Sequence, residues 1–473
     1  MIIGEHLQDY QSIQPSKPAI ITENQMITYE QFVYNIMKIQ KYLTKHFGNQ
    51  PKLRIALQFK NEPAFPEVFF AAVMLGHSCV PLDPKWNGNE LNSALESSKP
   101  DLLVTHKIYD EMMKVEPRKL MYEAVPTDIF YIGFTSGSTG KPKGFLRHHT
   151  SWIDSFEGCS KAFELTNEEV YCAPGPLCHS LSLFAAVYAL HIGATLVLPD
   201  KFEPKAVQNI IKNTSVTTLF VVPTMLQAMV DDEVGTLPKV KNILSSGAKW
   251  SSELKEKIGF IFSNANRTEF YGASETSFIT YQDERGFRKR PTSVGKAFPG
   301  VDITIKDTNG NALAPNEIGQ VHIKSSMLYS GYLHQPQIKQ VDELSVGDLG
   351  FMDEEGYLIL VGREKNMIIS GGLNIYPEEI EGYLKKIEDV EEVVVTGIAD
   401  DYWGERVVAL IKWKLGSSHT DSYLKECCKQ GLAAHKCPKE FYSVEDFPYT
   451  SSGKVARKET LNLYSSILGS EKK

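Results

Sequence analysis

In the first half of the chain, short apolar runs of strand character alternate with stretches of helical periodicity, and this alternation restricts the fold more than any other feature. Leu53–Phe59, Leu102–Thr105, Ile129–Phe134, Thr195–Leu198, Thr217–Val222, Ile243–Ser245 and Thr268–Phe270 read as strands. Glu67–Leu75, Pro204–Lys212 and the stretch after Pro223 read as helices among them. Such a repeat is the pattern of a parallel α/β architecture. The texture changes after about residue 298, where Val301–Lys306, Gln320–Lys324 and Tyr357–Val361 read as antiparallel strands joined by tight turns such as Asn309-Gly310. Beyond Gly362 the pattern is α+β: helices Pro377–Lys386 and Ser422–Lys429, strands Val393–Gly397 and Val407–Lys412. The charged run Arg363–Asn366 separates the two textures, so the domains expected are 1–364 and 365–473.

Composition narrows the class. The 473 residues are 42% hydrophobic and 23% charged, as in an ordinary globular chain of several domains. Fifty Lys and Arg against 58 Asp and Glu give a net charge of −8, which argues against a coat for nucleic acid or anionic membrane. Seven cysteines without a C-x-x-C pair read as free thiols in a reducing cytosol. The first 20 residues contain no apolar signal segment. The most apolar stretch, Leu181–Pro199, is interrupted by Ser182, His191, Gly193 and Thr195, so it reads as a buried helix followed by a strand rather than a membrane span.

The strand Ile129–Phe134 runs into Thr135-Ser136-Gly137-Ser138-Thr139-Gly140-Lys141-Pro142-Lys143-Gly144. Glycines free the backbone so that successive N–H groups can face one anion, while hydroxyls and lysines add donors and positive charge. A phosphate-binding loop is the natural reading. It is not a Walker A loop, because Thr135 stands where the first glycine belongs and Pro142 follows the lysine.

This loop resembles that of the adenylate-forming superfamily, which holds acyl-CoA synthetases, peptide-synthetase adenylation domains and beetle luciferases. The likeness continues in order along the chain. Tyr271-Gly272-Ala273-Ser274-Glu275-Thr276 resembles the family's Tyr-Gly-x-Thr-Glu, and Val346-Gly347-Asp348 its Thr-Gly-Asp. Gly362-Arg363-Glu364-Lys365 and the run from Ser370-Gly371-Gly372 to Glu381 match the hinge and the loop after it, and Pro448–Lys454 matches the C-terminal lysine loop. The chain looks most like a short bacterial acyl-CoA synthetase. That resemblance implies a large N-terminal domain of α/β subdomains plus a distorted antiparallel β-barrel, with a small mobile α+β C-terminal domain. It further implies an ATP-dependent carboxylic acid:CoA ligase working through an acyl-AMP, with ATP, Mg²⁺ and CoA, on a fatty or other simple acid.

The residue roles implied by the resemblance follow the chemistry. A carboxylate must attack the α-phosphorus of ATP, so two anions meet and positive charge with preorganised donors is the main requirement. Lys454 would bridge carboxylate and α-phosphate. Thr135 to Lys141 and Lys143, with Tyr271, Gly272, Ala273 and Ser274, would hold the nucleotide. Ser246, Gly247 and Ala248 would lie beside the adenine on which Tyr271 stacks. Asp348 and Arg363 would bind the ribose, and Glu275 the Mg²⁺, which takes few carboxylates and keeps waters and phosphate oxygens. Ser274 keeps the hydroxyl of the usual Thr, whereas Val346 cannot donate. His179 stands where the family places a His or aromatic residue between acid and ATP. Lys365 is the hinge position. Ser370, Gly371 and Gly372 would line the thiol's approach.

Amino-acid-activating relatives carry a Phe-Asp pair where this chain has His179-Ser180, and an unpaired buried ammonium costs several kcal/mol, so an α-amino acid is not the expected substrate. The acid pocket is expected along Leu177–Phe184, Val221–Met225 and Ser277–Thr280. No fused carrier site follows Lys454. Two rivals stand beside the CoA ligase: an acyl-AMP ligase that loads a free carrier protein, and a non-catalytic acyl or nucleotide sensor. Acid and CoA are the expected partners, without nucleic acid or an integral membrane span, and a homodimer is left open.

Overall fold

The computed structural model describes residues 1–48, 50, 52–86, 88–135, 143–335, 342–449 and 455–468. The chain divides into two compact units, one of residues 1–303 and 323–344, the other of residues 304–322 and 345–473.

Two sheets organise the first unit. The smaller has the strand order Leu102–Val104, Arg54–Leu57, Ser78–Pro81, Ile129–Thr135, Lys143–His148. Its first four strands run parallel, and the last closes a hairpin on Ile129–Thr135 with Phe134 opposite Gly144. The larger has nine strands, in the order Lys296–Ala297, Ser277–Gln282, Asn266–Ala273, Asn242–Ser245, Thr218–Val221, Val170–Cys172, Thr195–Val197, Pro18–Ile21, Met26–Thr28. Its centre is parallel, and the N-terminal hairpin joins it by pairing Pro18–Ile21 with Thr195–Val197. The parallel α/β expectation therefore holds, with antiparallel additions at the margins.

Local chemistry sets the elements. The helix Tyr29–Phe47 starts at a capping box, in which Gln31 N donates to Thr28 Oγ1 at 3.3 Å and Thr28 N donates to Gln31 Oε1 at 3.0 Å. It buries Phe32, Val33, Ile36, Ile39 and Leu43, a stripe at helical spacing. The apolar stretch after residue 180 is the buried helix Ser180–His191 followed by the strand Thr195–Val197. Among the described residues no helix is long and apolar enough to cross a membrane. All seven cysteines are unpaired.

The strand read at Thr268–Phe270 is longer than expected. It continues through Tyr271-Gly272-Ala273, pairs antiparallel with Ser277–Gln282, and bulges between Tyr271 and Gly272. A Cβ on Gly272 would lie 1.9 Å from the Ser277 carbonyl oxygen, so backbone contact and not turn geometry demands glycine here.

Most of a four-stranded sheet falls in the second unit, in chain order Val301–Lys306, Gly319–Ser325, Leu344–Met352, Leu358–Arg363. The barrel implied by the resemblance is, among the described residues, this sheet, and Leu344–Met352 is a strand that the sequence pattern did not reveal. A second sheet carries the long antiparallel pair Val390–Asp400 and Gly404–Trp413, with Glu440–Val444 parallel beside it. Its core joins Ile380 and Leu384 of the helix Pro377–Leu384 to Val395, Ala409, Ile411 and Leu424. The boundary placed at 364/365 is a single 3₁₀ turn, Glu364–Asn366, between these two sheets. The turn is tied on both sides: Gln320 Nε2 donates to Glu364 Oε1, and Asn366 Nδ2 to Glu378 Oε1.

Two glycine substitutions have opposite expected signs. Gly272→Ala forces the backbone pair apart and should destabilise the first unit by about 1–3 kcal/mol. Gly382→Ala lies inside the helix Pro377–Leu384 with nothing within 4 Å of the new methyl. It should stabilise the second unit by about 0.5–1 kcal/mol. Scanning calorimetry of the two variants checks both signs.

Candidate active site

The candidate residues of the first unit cluster after the C-terminal ends of parallel strands, where open α/β sheets place ligands. Thr135 ends the strand Ile129–Thr135 and pairs with Lys143. Ser136, Gly137, Ser138, Thr139, Gly140, Lys141 and the side chain of Thr135 lie outside the described residues. Ser246, Gly247 and Ala248 follow the strand Asn242–Ser245. His179 precedes the helix Ser180–His191, and burial lowers its pKa, which favours neutral imidazole.

Ser274 and Glu275 sit at the tip of a tight turn. Thr276 is fully buried; its N–H donates to the Ala273 carbonyl, and its hydroxyl oxygen accepts from the Ala273 N–H at 3.0 Å. The turn therefore presents its polar residues rather than being rigid by accident of sequence. Tyr271, one residue before Gly272, is half-buried opposite Thr280.

Three side chains outside the sequence motifs build this site. Tyr332 runs beside Lys143–His148 and donates its hydroxyl to Glu275 Oε1 at 2.9 Å. Lys143 Nζ lies 3.3 Å from the centre of the same ring. Tyr332 thus links the lysine at the end of the glycine-rich segment to the carboxylate of the turn. Burial, then the Glu275 charge, pushes its hydroxyl pKa far up, so it remains a donor.

Arg147 is the second. It is 1% exposed and bonds the Ser274 carbonyl at 2.9 Å, the Met327 carbonyl at 2.8 Å, and the hydroxyls of Ser277 at 2.6 Å and Ser151 at 3.1 Å. Burial pulls its pKa down to about 9, with Glu275 opposing, so the guanidinium stays charged at neutral pH. Ser180 is the third: its hydroxyl lies 3.2 Å from Ser274 Oγ and 3.3 Å from the Tyr131 hydroxyl. Tyr131 is itself the cross-strand partner of Arg147. One of these had a legible signal. Phe145 and Arg147 share the inward face of a strand, and a charge at an inward position marks a built site.

In the second unit, Asp348 and Arg363 are opposed on neighbouring strands and form an ion pair, Nε to Oδ1 at 2.9 Å. Asp348 is buried and Arg363 is half-exposed. Beside Val346, the Ser345 hydroxyl accepts from the Gly347 N–H at 3.3 Å, a polar contact next to the position that lost its threonine. Gly371 and Gly372 have φ of +58° and +77° and form the two-residue turn between Ile368–Ser370 and Leu373–Ile375. The turn alone therefore calls for glycine, whatever passes beside it. Lys365 lies within the 3₁₀ turn, and Lys454 lies outside the described residues.

Comparison with known proteins shows the family. The family model for AMP-binding enzymes matches residues 7–333, and that for the AMP-binding enzyme C-terminal domain matches residues 379–454. An uncharacterized acyl–CoA ligase of Bacillus subtilis, YhfT, is 37% identical over 94% of both chains. The putative long chain fatty acid-CoA ligase VraA of Staphylococcus epidermidis is 31% identical over 98% of both. Among solved structures, o-succinylbenzoate CoA synthetase (MenE) of B. subtilis is 26% identical and has been solved with its acyl-adenylate intermediate and with ATP and magnesium, at TM-scores of 0.85 and 0.86. Those matches cover 96% of this chain and 97% and 98% of theirs.

Arg147→Met removes the donors from buried carbonyls and hydroxyls while preserving bulk. It should cost about 2–5 kcal/mol of stability, because acceptors left unpaired in the interior lose their full solvation. Arg147→Lys, which keeps the charge without the fork, should fall between it and the parent. Denaturant unfolding measures both, and a methionine variant as stable as the parent would reject the clamp.

Proposed function

The chain belongs to the AMP-binding enzyme family, and from that premise we propose that it is an ATP-dependent acid:CoA ligase that forms an acyl-adenylate and then a thioester, acting on a fatty or other simple carboxylic acid. The observation that carries this reading is the assembly of Lys143, Tyr332, Glu275 and Ser274 in the first unit. A cation, a fixed carboxylate and hydroxyls are gathered after the strands whose loops would meet a nucleotide. The reaction is acid + ATP + CoA giving acyl-CoA + AMP + pyrophosphate, with Mg²⁺ entering on ATP.

A carboxylate is a poor electrophile, and transfer to AMP gives its carbonyl a good leaving group. In the first step the carboxylate attacks the α-phosphorus and pyrophosphate leaves. In this reading Glu275, its carboxylate oriented by Tyr332, holds the Mg²⁺, which spreads the phosphate charge. A single carboxylate beside a hydroxyl donor suits a hard ion that keeps most of its water. The glycine-rich segment supplies backbone donors, Ser274 its hydroxyl, and Lys143 positive charge. Tyr271 faces adenine, with Ser246, Gly247 and Ala248 alongside. Asp348 accepts from the ribose hydroxyls, and Arg363 orients that carboxylate through the ion pair. Lys454 neutralises the charge that builds between the two anions, and His179, neutral at physiological pH, borders the acid.

In the second step the CoA thiol attacks the acyl carbonyl and AMP leaves, with Ser370, Gly371 and Gly372 beside the thiol. Lys454 and this turn both follow Arg363, and each step asks for a different one, so Lys365 serves as the pivot between them. Domains 1–364 and 365–473 are then the working division. A cytoplasmic location fits the unpaired thiols.

Pyrophosphate release across a panel of carboxylic acids, with and without CoA, tests the reading. Aliphatic or aromatic acids should support release, and CoA should convert the adenylate to thioester. The sensor reading predicts no release with any acid, and a carrier-loading enzyme would give thioester only on a carrier protein.

Lys454→Ala should lower adenylate formation by roughly 10²–10³, the usual loss for a preorganised charge-stabilising group. Thioester formation from supplied acyl-AMP should stay near the parent rate. Equal losses in both half-reactions would remove Lys454 from the first step.

A further inference from the structure

Among the described residues, Asp83, Cys178 and His179 form the group of carboxylate, thiol and imidazole side chains close enough to share one ion, each offering a ligand atom within 4.8 Å of the other two. They come from separate segments. Asp83 follows the strand Ser78–Pro81, while Cys178 and His179 lead into the helix Ser180–His191. We propose that these three side chains bind one zinc-type divalent cation, at a site separate from the magnesium that accompanies ATP.

The donor chemistry selects the metal. One sulfur, one nitrogen and one oxygen suit Zn²⁺, whereas Mg²⁺ demands an octahedron of oxygens. Zinc bonds of about 2.0–2.3 Å in a tetrahedron put donors roughly 3.3–3.7 Å apart, so donors already within 4.8 Å of one another have at most about 1.5 Å to close, within reach of side-chain rotation. Three protein ligands leave the fourth position open to water or a small ligand.

The backbone around the trio is already fixed. Asn61 Nδ2 donates to the Gly175 carbonyl at 2.9 Å, and its Oδ1 accepts from the Leu177 N–H at 3.0 Å. The His179 N–H donates to the Pro176 carbonyl at 3.1 Å. Asp83 is buried, with Oδ1 accepting from the Lys85 N–H at 2.9 Å. The metal therefore meets a preformed segment and only the side chains adjust. Binding converts the Cys178 thiol to a metal thiolate and releases its proton to water. It also occupies a His179 ring nitrogen, so zinc would withdraw this imidazole from the acid site and act as an inhibitor. The binding claim stands without the ligase reading, because its test reads the metal and not turnover.

The experiment uses the full-length protein, stripped with chelator and titrated with Co²⁺ as the optical probe, followed by Zn²⁺ in competition with a chromophoric chelator. The expected result is one equivalent of Co²⁺ with thiolate-to-cobalt absorption, displaced by Zn²⁺. Cys178→Ser should abolish that absorption and weaken Zn²⁺ at least tenfold. Asp83→Asn keeps the thiol and should also weaken Zn²⁺ at least tenfold, which covers a serine variant that fails to fold. A parent protein without cobalt–thiolate absorption, a Cys178→Ser protein that retains it, or unchanged affinity in Asp83→Asn would overturn the site.

Discussion

A guanidinium buried to 1% exposure, with carbonyls and hydroxyls as its hydrogen-bond partners, holds the centre of the first unit together. Arg147 reaches three segments far apart in sequence: its own helix start at Ser151, the turn at Ser274 and Ser277, and the loop at Met327. A charge taken out of water costs several kcal/mol unless its donors are satisfied. These segments must therefore converge in one arrangement, because any other leaves a cation unsolvated. The field of Glu275 acts on the same group. The carboxylate of the turn thus favours the charged form of the cation behind it, and the turn inherits its position from a buried charge rather than from its own short sequence.

Tyr332 extends that logic outward. Segment 329–333 is tied to Lys143–His148 by backbone bonds, Leu146 N to the Gly331 carbonyl and Leu333 N to the Gly144 carbonyl. Its phenol can then meet both Glu275 and Lys143. A carboxylate and an ammonium placed directly together would quench one another. Here a ring and a hydroxyl stand between them. The hydroxyl also fixes one oxygen of Glu275, which leaves the other to set the direction of any further bond.

Much of the fold was legible because its signals are local. Strands such as Arg54–Leu57 and Thr218–Val221 are apolar after their first residue, and the helix at Pro204 begins with proline at its first turn. Leu344–Met352 was missed because Gly347 and Asp348 break the apolar pattern inside it. The motif residues are singled out by resemblance, and Ser274 and Glu275 share one turn while Asp348 and Arg363 face each other on neighbouring strands. Arg147, Ser180 (noted only as the residue after His179 where relatives carry Asp), Tyr332 and Asp83 carry no sequence signal of these contacts. Their roles come from partners 127, 94, 57 and about 95 positions away, and no window of sequence carries such distances.

Glycine shows where reading by motif overreaches. Gly371-Gly372 was assigned to the thiol's path, yet both residues sit at positive φ in a two-residue hairpin turn, which would require them in a protein that never met CoA. Gly272 was read as part of a nucleotide motif, and its necessity is a carbonyl 1.9 Å from where a methyl would stand. In both cases the structural demand is sufficient by itself, so the presence of glycine carries no weight for ligand binding. The weight shifts to residues whose conformation the fold does not dictate. A buried aspartate paired across strands with a half-exposed arginine is one such case. Apolar side chains would pack that position at no desolvation cost, whereas the pair keeps a carboxyl group beside a cation that still reaches solvent. That arrangement adds little to stability and is suited to hydroxyl groups arriving from outside.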